Sequence, residues 1–329
     1  MGDDIFESER ARKVFWALHK CGLTNFLIRL VMPFYGKANK YDPKDFRIFA
    51  VGQSHLDSAW NWRWIPDTAP YKLSHTVGYN IQRLAQFPQR NLRKGYQDGY
   101  KFSFPAVAHY EYIEQKWPRS FKKIQQLVKQ GRWELVGGSW IEMDCNVPDG
   151  ESLVRQRLYG QKYFMEKFGK KAVIEWLPDT FGFSWSLPQI LKKSGAIGFF
   201  TTKLTWNVPS QPDTGYRFPF GWFLWQPPSG SEDRILAYNF KHGWRGLEYL
   251  WANKEICRLM KVGRQQMLNY HTDFEKDSPL SEDYIHEVLW MYGQGDGGHG
   301  PNSLEIMVAD AAERIGKMQQ VKADRKSVV

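Results

Sequence analysis

Apolar side chains follow two different spacings along the chain. In residues 10–32 they recur at helical spacing, at Val14, Leu18, Leu23, Leu27, Leu30 and Val31. From Asp45 onward, short apolar runs alternate with longer amphipathic stretches. The change of spacing predicts an N-terminal helical segment and linker over residues 1–44, followed by one α/β domain over residues 45–329.

Seven short apolar runs predict buried strands, at residues 46–52, 101–104, 133–136, 173–177, 198–202, 235–240 and 288–292. Amphipathic stretches between them predict helices, notably at 120–129, 151–168 and 187–191. This alternation is typical of βαβ units and a parallel sheet, either open or closed into a barrel. In such folds the chemistry lies at the carboxyl ends of the strands.

Three details of the helices can be predicted. The helix at 151–168 has an apolar face composed of Val154, Leu158, Met165 and Phe168, which we expect to face the core. Ser186 can cap the helix at 187–191. Asn302 and Glu305 have the spacing of a capping box.

Composition and charge narrow the class of protein. The formal net charge is +10, but the basic residues are scattered, and no arginine-rich arm, zinc finger or RNA-binding motif is present. We therefore expect no nucleic-acid partner. The 15 Trp, 16 Tyr and 21 Phe would suit a carbohydrate site, although most of these rings are expected in the core.

The chain shows no sign of secretion or membrane insertion. Its first nine residues are acidic and are not followed by a signal-type apolar region, and no 18-residue apolar run occurs. The three cysteines lie far apart and form no CxxC pair, which argues against a disulfide framework. The sequence therefore predicts a cytoplasmic protein with no membrane contact.

The first chemical motif directly follows the predicted strand at 46–52. His55 and Asp57 are two residues apart, so both point to one face of an extended backbone. An imidazole and a carboxylate on one face are two ligands of a zinc-type site, and Trp60 follows closely. The alternative is an accidental surface His–Asp pair.

Two further strand ends carry carboxylates. Asp179 follows the strand at 173–177 and could be a third ligand or a nucleophile, or simply a turn residue after Pro178. Asp296 and His299 lie in a glycine-rich loop after the strand at 288–292. A phosphate-binding loop is disfavoured there because no Gly-Lys-Ser/Thr follows. Asp296 could be a general acid, whereas His299 could be a ligand or an ordinary polar loop residue.

Read in order, six segments resemble glycoside hydrolase family 38, in the subgroup of cytosolic and prokaryotic enzymes. The segments are HLDSAW (55–60), SFPAVAHYEYIEQKWP (103–118), GRWELVGGSWIEMDCNVPDGESLVRQRLYGQKYF (131–164), WLPDTFGFSWSLPQIL (176–191), TTKLTWN (201–207) and GDGGHGP (295–301). The resemblance covers residues 46–301.

This resemblance implies a seven-stranded (β/α) barrel of the glycoside hydrolase/deacetylase type and a retaining α-mannosidase acting on α-mannoside oligosaccharides. His55, Asp57 and Asp179 match metal ligands, and Asp179 also matches the nucleophile. Asp296 matches the acid/base, and Trp60 matches the aromatic floor beneath the bound mannose. The metal is Zn²⁺, with Co²⁺ as the alternative.

Two departures from the family pattern leave alternatives open. Family members complete the metal site with a downstream histidine that this chain lacks, so we expect a C-terminally incomplete barrel of uncertain activity. His299 stands where subgroup members more often carry glycine and is a candidate replacement ligand. A non-catalytic sugar-binding fragment and a metal-dependent carbohydrate deacetylase remain alternatives, and the sequence leaves the oligomeric state open.

Overall fold

The computed structural model describes residues 47–64, 68–87, 90–93, 96–204, 222–230, 232–239, 287–293, 298–303, 305–306, 309 and 319–320. The predicted helical segment at 1–44 lies outside these residues. That segment and its boundary with the domain at 45–329 therefore stay predictions.

The strands of the described residues include all seven predicted ones. They are β1 (Arg47–Gln53), β2 (Arg90–Arg93), β3 (Tyr96–Asp98), β4 (Phe102–Phe104), β5 (Trp133–Leu135), β6 (Ile174–Trp176), β7 (Gly198–Thr201), β8 (Trp222–Trp225), β9 (Ile235–Asn239), β10 (Glu287–Tyr292) and β11 (Gln319–Gln320). The sequence did not predict the β2–β3 hairpin or β11, because these strands lack a continuous apolar run. It did not predict β8 either, because its short apolar run, WFLW, lies within a Trp- and Pro-bearing stretch that reads as a loop.

Parallel pairing dominates the two main sheets. One sheet has the order β10-β1-β4-β5, with β11 also pairing β1, and the other has the order β6-β7-β9-β8. All neighbours in these sheets are parallel except β8 and β9. The α/β class with parallel sheets is therefore confirmed, whereas closure into a seven-stranded barrel stays a prediction.

Both sheets contribute to one apolar cluster. Its members are Phe49, Val51, Val136, Trp176, Phe200, Tyr238 and Met291. Trp176 of β6 stacks on Phe200 of β7 with ring centroids 3.8 Å apart. The backbone N–H of Gly137, just after β5, donates to Ile174 O of β6 at 2.9 Å, so the two sheets approach each other along this edge.

The described helices are α1 (Thr68–Gln86), α2 (Val107–Lys116), α3 (Pro118–Lys129), α4 (Gly150–Phe168) and α5 (Leu187–Lys193). A second apolar cluster joins α1, α2, α3 and part of α4 to β4 and β5. The helices thus cover one face of the sheet that contains β1. The edge at which the carboxyl ends of its strands lie stays available for other contacts.

The two predicted caps have different outcomes. The capping box is confirmed, because Asn302 N–H donates to Glu305 Oε2 and Glu305 N–H donates to Asn302 Oδ1, both at 2.9 Å. Ser186 precedes α5, but its side chain makes no cap bond and lies 3.2 Å from Ser184 Oγ. The prediction of a Ser186 side-chain cap is therefore wrong.

The predicted core-facing side of α4 is also wrong. Val154, Leu158 and Met165 are exposed, and only Phe168 packs against the core. The buried side of the helix instead consists of Leu153, Arg157, Gly160, Gln161, Tyr163 and Phe164. Polar side chains can be buried here because each has a partner, which hydrophobic spacing cannot reveal.

One of those partners is a buried carboxylate beneath the candidate site. Arg157 of α4 forms an ion pair with Glu175 of β6, and both side chains are almost fully buried. Arg157 Nε also donates to Ser194 Oγ at 2.9 Å, and Ser139 Oγ donates to Glu175 at 3.1 Å. The pair connects the helix layer to the strand that ends just before Asp179.

We predict that Arg157→Met lowers the free energy of unfolding by about 3–5 kcal/mol, because it leaves the buried Glu175 carboxylate without its counter-charge. Denaturant unfolding measures the loss. The matched control is Arg155→Met on the same helix, which removes only an exposed pair with Glu151 and should cost less than about 1 kcal/mol. Equal losses for the two variants would contradict this account.

Candidate metal centre and active site

Two strand ends bring the candidate ligands together. The chain leaves β1 at Gln53 and carries His55 and Asp57, while the chain leaving β6 carries Asp179. One potential ligand atom from each of these three residues lies within 4.8 Å of the others. Asp179 lies 122 positions after Asp57 in the chain, so two distant segments converge at one point. Such convergence is expected at the carboxyl edge of parallel strands.

The distances fit a tetrahedral metal site. His55 Nε2 lies 3.2 Å from Asp57 Oδ1 and 3.6 Å from Asp179 Oδ2. Nitrogen and oxygen ligands about 2.1 Å from a zinc ion, at the tetrahedral angle, would lie about 3.4 Å apart. The donor set of one imidazole and two carboxylates also suits a divalent transition metal.

Glu142 holds the imidazole in the orientation that such a site needs. This residue lies in the loop between β5 and α4, and its Oε1 lies 2.7 Å from His55 Nδ1. A hydrogen bond to Nδ1 directs Nε2 toward the two aspartates, as carboxylates do for many metal-binding histidines. Sequence reasoning did not single out Glu142, although it lies within the segment at 131–164.

Burial and neighbouring charges act in opposite directions on this cluster. Burial opposes a charge on His55, but the charge of the Glu142 carboxylate and the hydrogen bonds that the ring donates to Asp57 and Glu142 outweigh it and raise the pKa of His55 to about 10. Burial raises the pKa of Glu142, against the effect of His55. The carboxylates of the site therefore favour a positive charge at His55, which a metal ion bound at Nε2 would also supply.

The segment that carries Asp179 is fixed by its neighbours. Thr202 Oγ1, just after β7, donates to Pro178 O at 2.7 Å, and Thr180 Oγ1 donates to Met143 O at 3.1 Å. Lys203 Nζ forms an ion pair with Asp179 Oδ1. Lys203 was missed as a site residue because an isolated lysine carries no spacing signal, although the segment TTKLTWN contains it.

Exposed aromatic rings stand beside the cluster. Trp60 is 61% exposed and Phe181 is 51% exposed, and their ring centroids are 6.4 Å apart. The Lys203 ammonium lies 4.8 Å from the centre of the Phe181 ring. Large apolar rings left in solvent next to polar groups provide a surface on which the apolar face of a sugar can pack.

A buried histidine supports the loop that carries Trp60. His109 of α2 lies 3.3 Å from Ser58 Oγ through Nε2, and its ring stacks on Trp64 and Phe104. Burial, together with the charge of His55, lowers the pKa of His109 to about 3, so it stays neutral. This ring therefore acts as a neutral support for the loop.

The glycine-rich loop is described only at its two ends. Asp296 lies outside the described residues, so its predicted acid/base role stays a prediction. His299 is exposed, and its backbone carbonyl accepts hydrogen bonds from Asn80 and Arg83. Within the described part of the chain, the potential ligand cluster does not include His299.

Comparison with models of protein families identifies the family of this chain. The family model described as the glycosyl hydrolases family 38 N-terminal domain matches residues 45–325, which include every candidate site residue. The chain belongs to this family.

Of the helices described, none combines the length and apolar character that a membrane-spanning helix requires.

Relatives in the family are much longer than this chain. It is 31% identical to human alpha-mannosidase 2C1, over 79% of this chain and 21% of that protein. It is 30% identical to alpha-mannosidase G of Dictyostelium discoideum, over 78% of this chain and 20% of that protein. The chain thus spans about a fifth of the length of these curated relatives.

A solved structure supports the fold. An alpha-mannosidase from Enterococcus faecalis V583 superposes with a TM-score of 0.60 over 86% of this chain and 28% of that one, at 15% sequence identity. At this identity the similarity concerns the fold alone.

We predict that Glu142→Gln weakens zinc binding about 10- to 100-fold, because the amide no longer supplies the charge that orients and polarises His55. Competition with a chromophoric chelator measures the affinity. Glu151→Gln, an exposed residue at the start of α4, is the control and should leave the affinity unchanged. Zinc binding that is equal in all three proteins would exclude Glu142 from the site.

Proposed function

We propose that this chain is the catalytic part of a retaining α-mannosidase that hydrolyses terminal α-mannosidic bonds. The convergence of His55, Asp57 and Asp179 beside the exposed Trp60 carries this proposal. Membership of glycoside hydrolase family 38 supports the reaction class. Because the chain spans about a fifth of the length of its relatives, the activity of the whole protein is also part of the proposal.

The proposed metal is zinc, with cobalt as the alternative. His55 Nε2, Asp57 Oδ1 and one Asp179 oxygen would hold it, which leaves a coordination position for a sugar hydroxyl. When bound, the ion supplies Lewis-acid stabilisation and orients the sugar. Glu142 would orient His55 behind this set of ligands.

Asp179 is the proposed nucleophile. Its carboxylate attacks the anomeric carbon as the bond from that carbon to the leaving oxygen breaks, which forms a mannosyl ester on Asp179. Asp296 donates its proton to the leaving oxygen and then accepts a proton from the water that hydrolyses the ester. This sequence restores both carboxyl groups and retains the anomeric configuration.

Two neighbours would position Asp179 and the sugar. Lys203 pairs with Asp179 Oδ1, so the carboxylate cannot rotate freely about its Cβ–Cγ bond. Trp60 offers an exposed ring on which the apolar face of mannose can pack. In the proposed complex, these contacts would hold a rigid nucleophile beside a bound ring, which is the arrangement that makes displacement effectively intramolecular.

The proposed substrates are α-mannoside oligosaccharides. The cytoplasmic location and the absence of nucleic-acid and membrane partners stay predictions from the sequence. The oligomeric state also stays open.

The decisive experiment is hydrolysis of an aryl α-mannoside by the purified chain with added zinc or cobalt, against a chelator control. Chelator-sensitive release of the phenol is the expected result. Release that chelator does not affect would contradict the role of the metal. Zinc and sugar binding without any release would favour the non-catalytic sugar-binding alternative.

We predict that Asp179→Asn abolishes turnover, because an amide cannot form the mannosyl ester. Incubation of the unaltered chain with a fluorinated mannoside should add one sugar to Asp179, detectable by peptide mass spectrometry. A deacetylase would activate water and would carry no such adduct. Substantial hydrolysis by Asp179→Asn would remove this residue from the nucleophile role.

We predict that Trp60→Ala raises the KM for an aryl α-mannoside about 10-fold or more, because the stacking surface is lost, with a smaller change in kcat. Trp60→Phe retains a ring and should keep most of the affinity. Steady-state kinetics measure both constants. Equal KM values for the alanine variant and the unaltered chain would show that the sugar binds elsewhere.

A further inference from the structure

The carboxylate behind His55 comes from a loop and not from a strand or a helix. Glu142 lies in residues 136–149, between β5 and α4, and its Oε1 lies 2.7 Å from His55 Nδ1. A group that orients a metal ligand must itself be held within about 0.5 Å of its place. The backbone on each side of Glu142 therefore needs support, and two side chains from different elements contact it.

Gln156 of α4 holds the chain just before Glu142. Its side-chain Oε1 accepts a hydrogen bond from the Ile141 N–H at 3.0 Å. Its backbone carbonyl accepts from the Trp140 N–H, also at 3.0 Å. Because Gln156 belongs to a regular helix, these two bonds fix the near side of the loop to α4.

Thr180 holds the chain just after Glu142. Its Oγ1 donates to Met143 O at 3.1 Å, and both of these residues are buried. Cys145 Sγ also lies 3.5 Å from this carbonyl, but a thiol is a weak donor. Within the described part of the chain, the Thr180 hydroxyl is therefore the stronger side-chain partner of Met143 O.

Thr180 lies in a segment that other contacts already fix. It directly follows Asp179, which forms an ion pair with Lys203. Thr202 Oγ1 donates at 2.7 Å to the carbonyl of the residue that precedes Asp179. The segment with Asp179 is thus the fixed partner, and the loop with Glu142 is held to it by the Thr180 hydroxyl.

The two loops stay together beyond this bond. Cys145 and Phe183 form a parallel β-bridge. Gly182 packs so closely against Asn146 that a Cβ at this glycine would collide with the asparagine amide. The contact between the two loops is therefore continuous, and the Thr180 hydroxyl lies at the end of it nearest to His55.

We propose that Gln156 and Thr180 are positioning residues that hold Glu142 against His55 and thereby set the affinity of the site for a divalent metal. The proposal rests on the proposed function, in which His55 is a metal ligand. Neither residue contacts the metal or the substrate in this account, because each acts through the peptide next to Glu142. The segment with Asp179 would then have a second task, since it also fixes the carboxylate behind the histidine ligand.

The proposal makes a claim that a general structural role does not make. If Gln156 and Thr180 act only through Glu142, their contribution to metal affinity must vanish once the Glu142 carboxylate is absent. Residues that act through one shared group give non-additive losses, whereas independent sites give additive ones. A double-mutant cycle therefore separates the two accounts.

The first measurement is zinc affinity of the full chain, by competition with a chromophoric chelator. Thr180→Val keeps nearly the shape of threonine but lacks the hydroxyl, and Gln156→Met lacks the acceptor oxygen. We expect each variant to lower the zinc affinity about 10-fold, at the lower end of what the loss of a partner behind a metal ligand costs. Unchanged affinity in both variants would overturn the proposal.

The second measurement repeats both substitutions in a Glu142→Ala background. There, Thr180→Val and Gln156→Met should each lower the zinc affinity by less than about 2-fold further. Losses of the same size in both backgrounds would show that the two residues act independently of Glu142, which would also overturn the proposal.

Three variants serve as controls. Thr180→Ser retains the hydroxyl and should restore the zinc affinity to within about 2-fold of the unaltered chain. Gln126→Met makes the matching change at an exposed position of α3 and should have no effect.

Thr76→Val makes the same substitution as Thr180→Val at another buried threonine. The Thr76 hydroxyl of α1 also contacts a loop carbonyl, that of Gly298, and a Cβ at Gly298 would lie 2.8 Å from Thr76 Oγ1. This variant loses a comparable bond away from Glu142, so it should leave the zinc affinity unchanged. A loss as large as that of Thr180→Val would show that any buried threonine hydroxyl matters equally, against the proposal.

The outcome stays decisive if one variant fails to fold or if the chain is inactive. Gln156 is only half-buried, so Gln156→Met and its cycle with Glu142→Ala decide the matter if Thr180→Val does not fold. Zinc binding without hydrolysis of an aryl α-mannoside would count against the proposed reaction. The cycle would still decide whether Gln156 and Thr180 position Glu142, because it does not depend on turnover.

Discussion

Three carboxylates gathered around one imidazole are the feature on which the rest of the site depends. Asp57, Glu142 and Asp179 all approach His55 within 3.6 Å, with the His55 ring buried and the two aspartates partly exposed. Like charges held this close are costly unless cations lie among them. Lys203 supplies one positive charge, and a divalent ion between His55 and the aspartates would supply two more.

Holding that charge requires rigid support from several elements. The buried Arg157–Glu175 pair fixes β6 just before Asp179, and Thr202 fixes the turn that follows the strand. On the other side, His109 supports the loop after β1. Each of these contacts links a helix or a neighbouring strand to a segment that carries a candidate ligand, so the candidate metal centre and the fold are stabilised by the same interactions.

Much of this could be predicted from the sequence, for identifiable reasons. The seven apolar runs marked strands because a buried parallel strand needs continuous apolar residues, and HLDSAW placed two candidate ligands at a strand end. Glu142 and Lys203 were missed because each is a single polar residue whose role depends on distant chain segments. The buried side of α4 was predicted wrongly because Arg157, although charged, is buried through its ion pair with Glu175 of β6. Ser186 failed as a cap for a different reason, since its hydroxyl lies beside that of Ser184.

The close packing of Gly298 against Thr76 restricts how this protein can evolve. A Cβ at Gly298 would lie 2.8 Å from the threonine hydroxyl, at a backbone φ that side chains rarely adopt. A side chain at Gly298 therefore requires a shift of the loop or a change in the helix. Lineages that replace Gly298 must therefore change its surroundings at the same time, which makes this end of the loop slow to diversify.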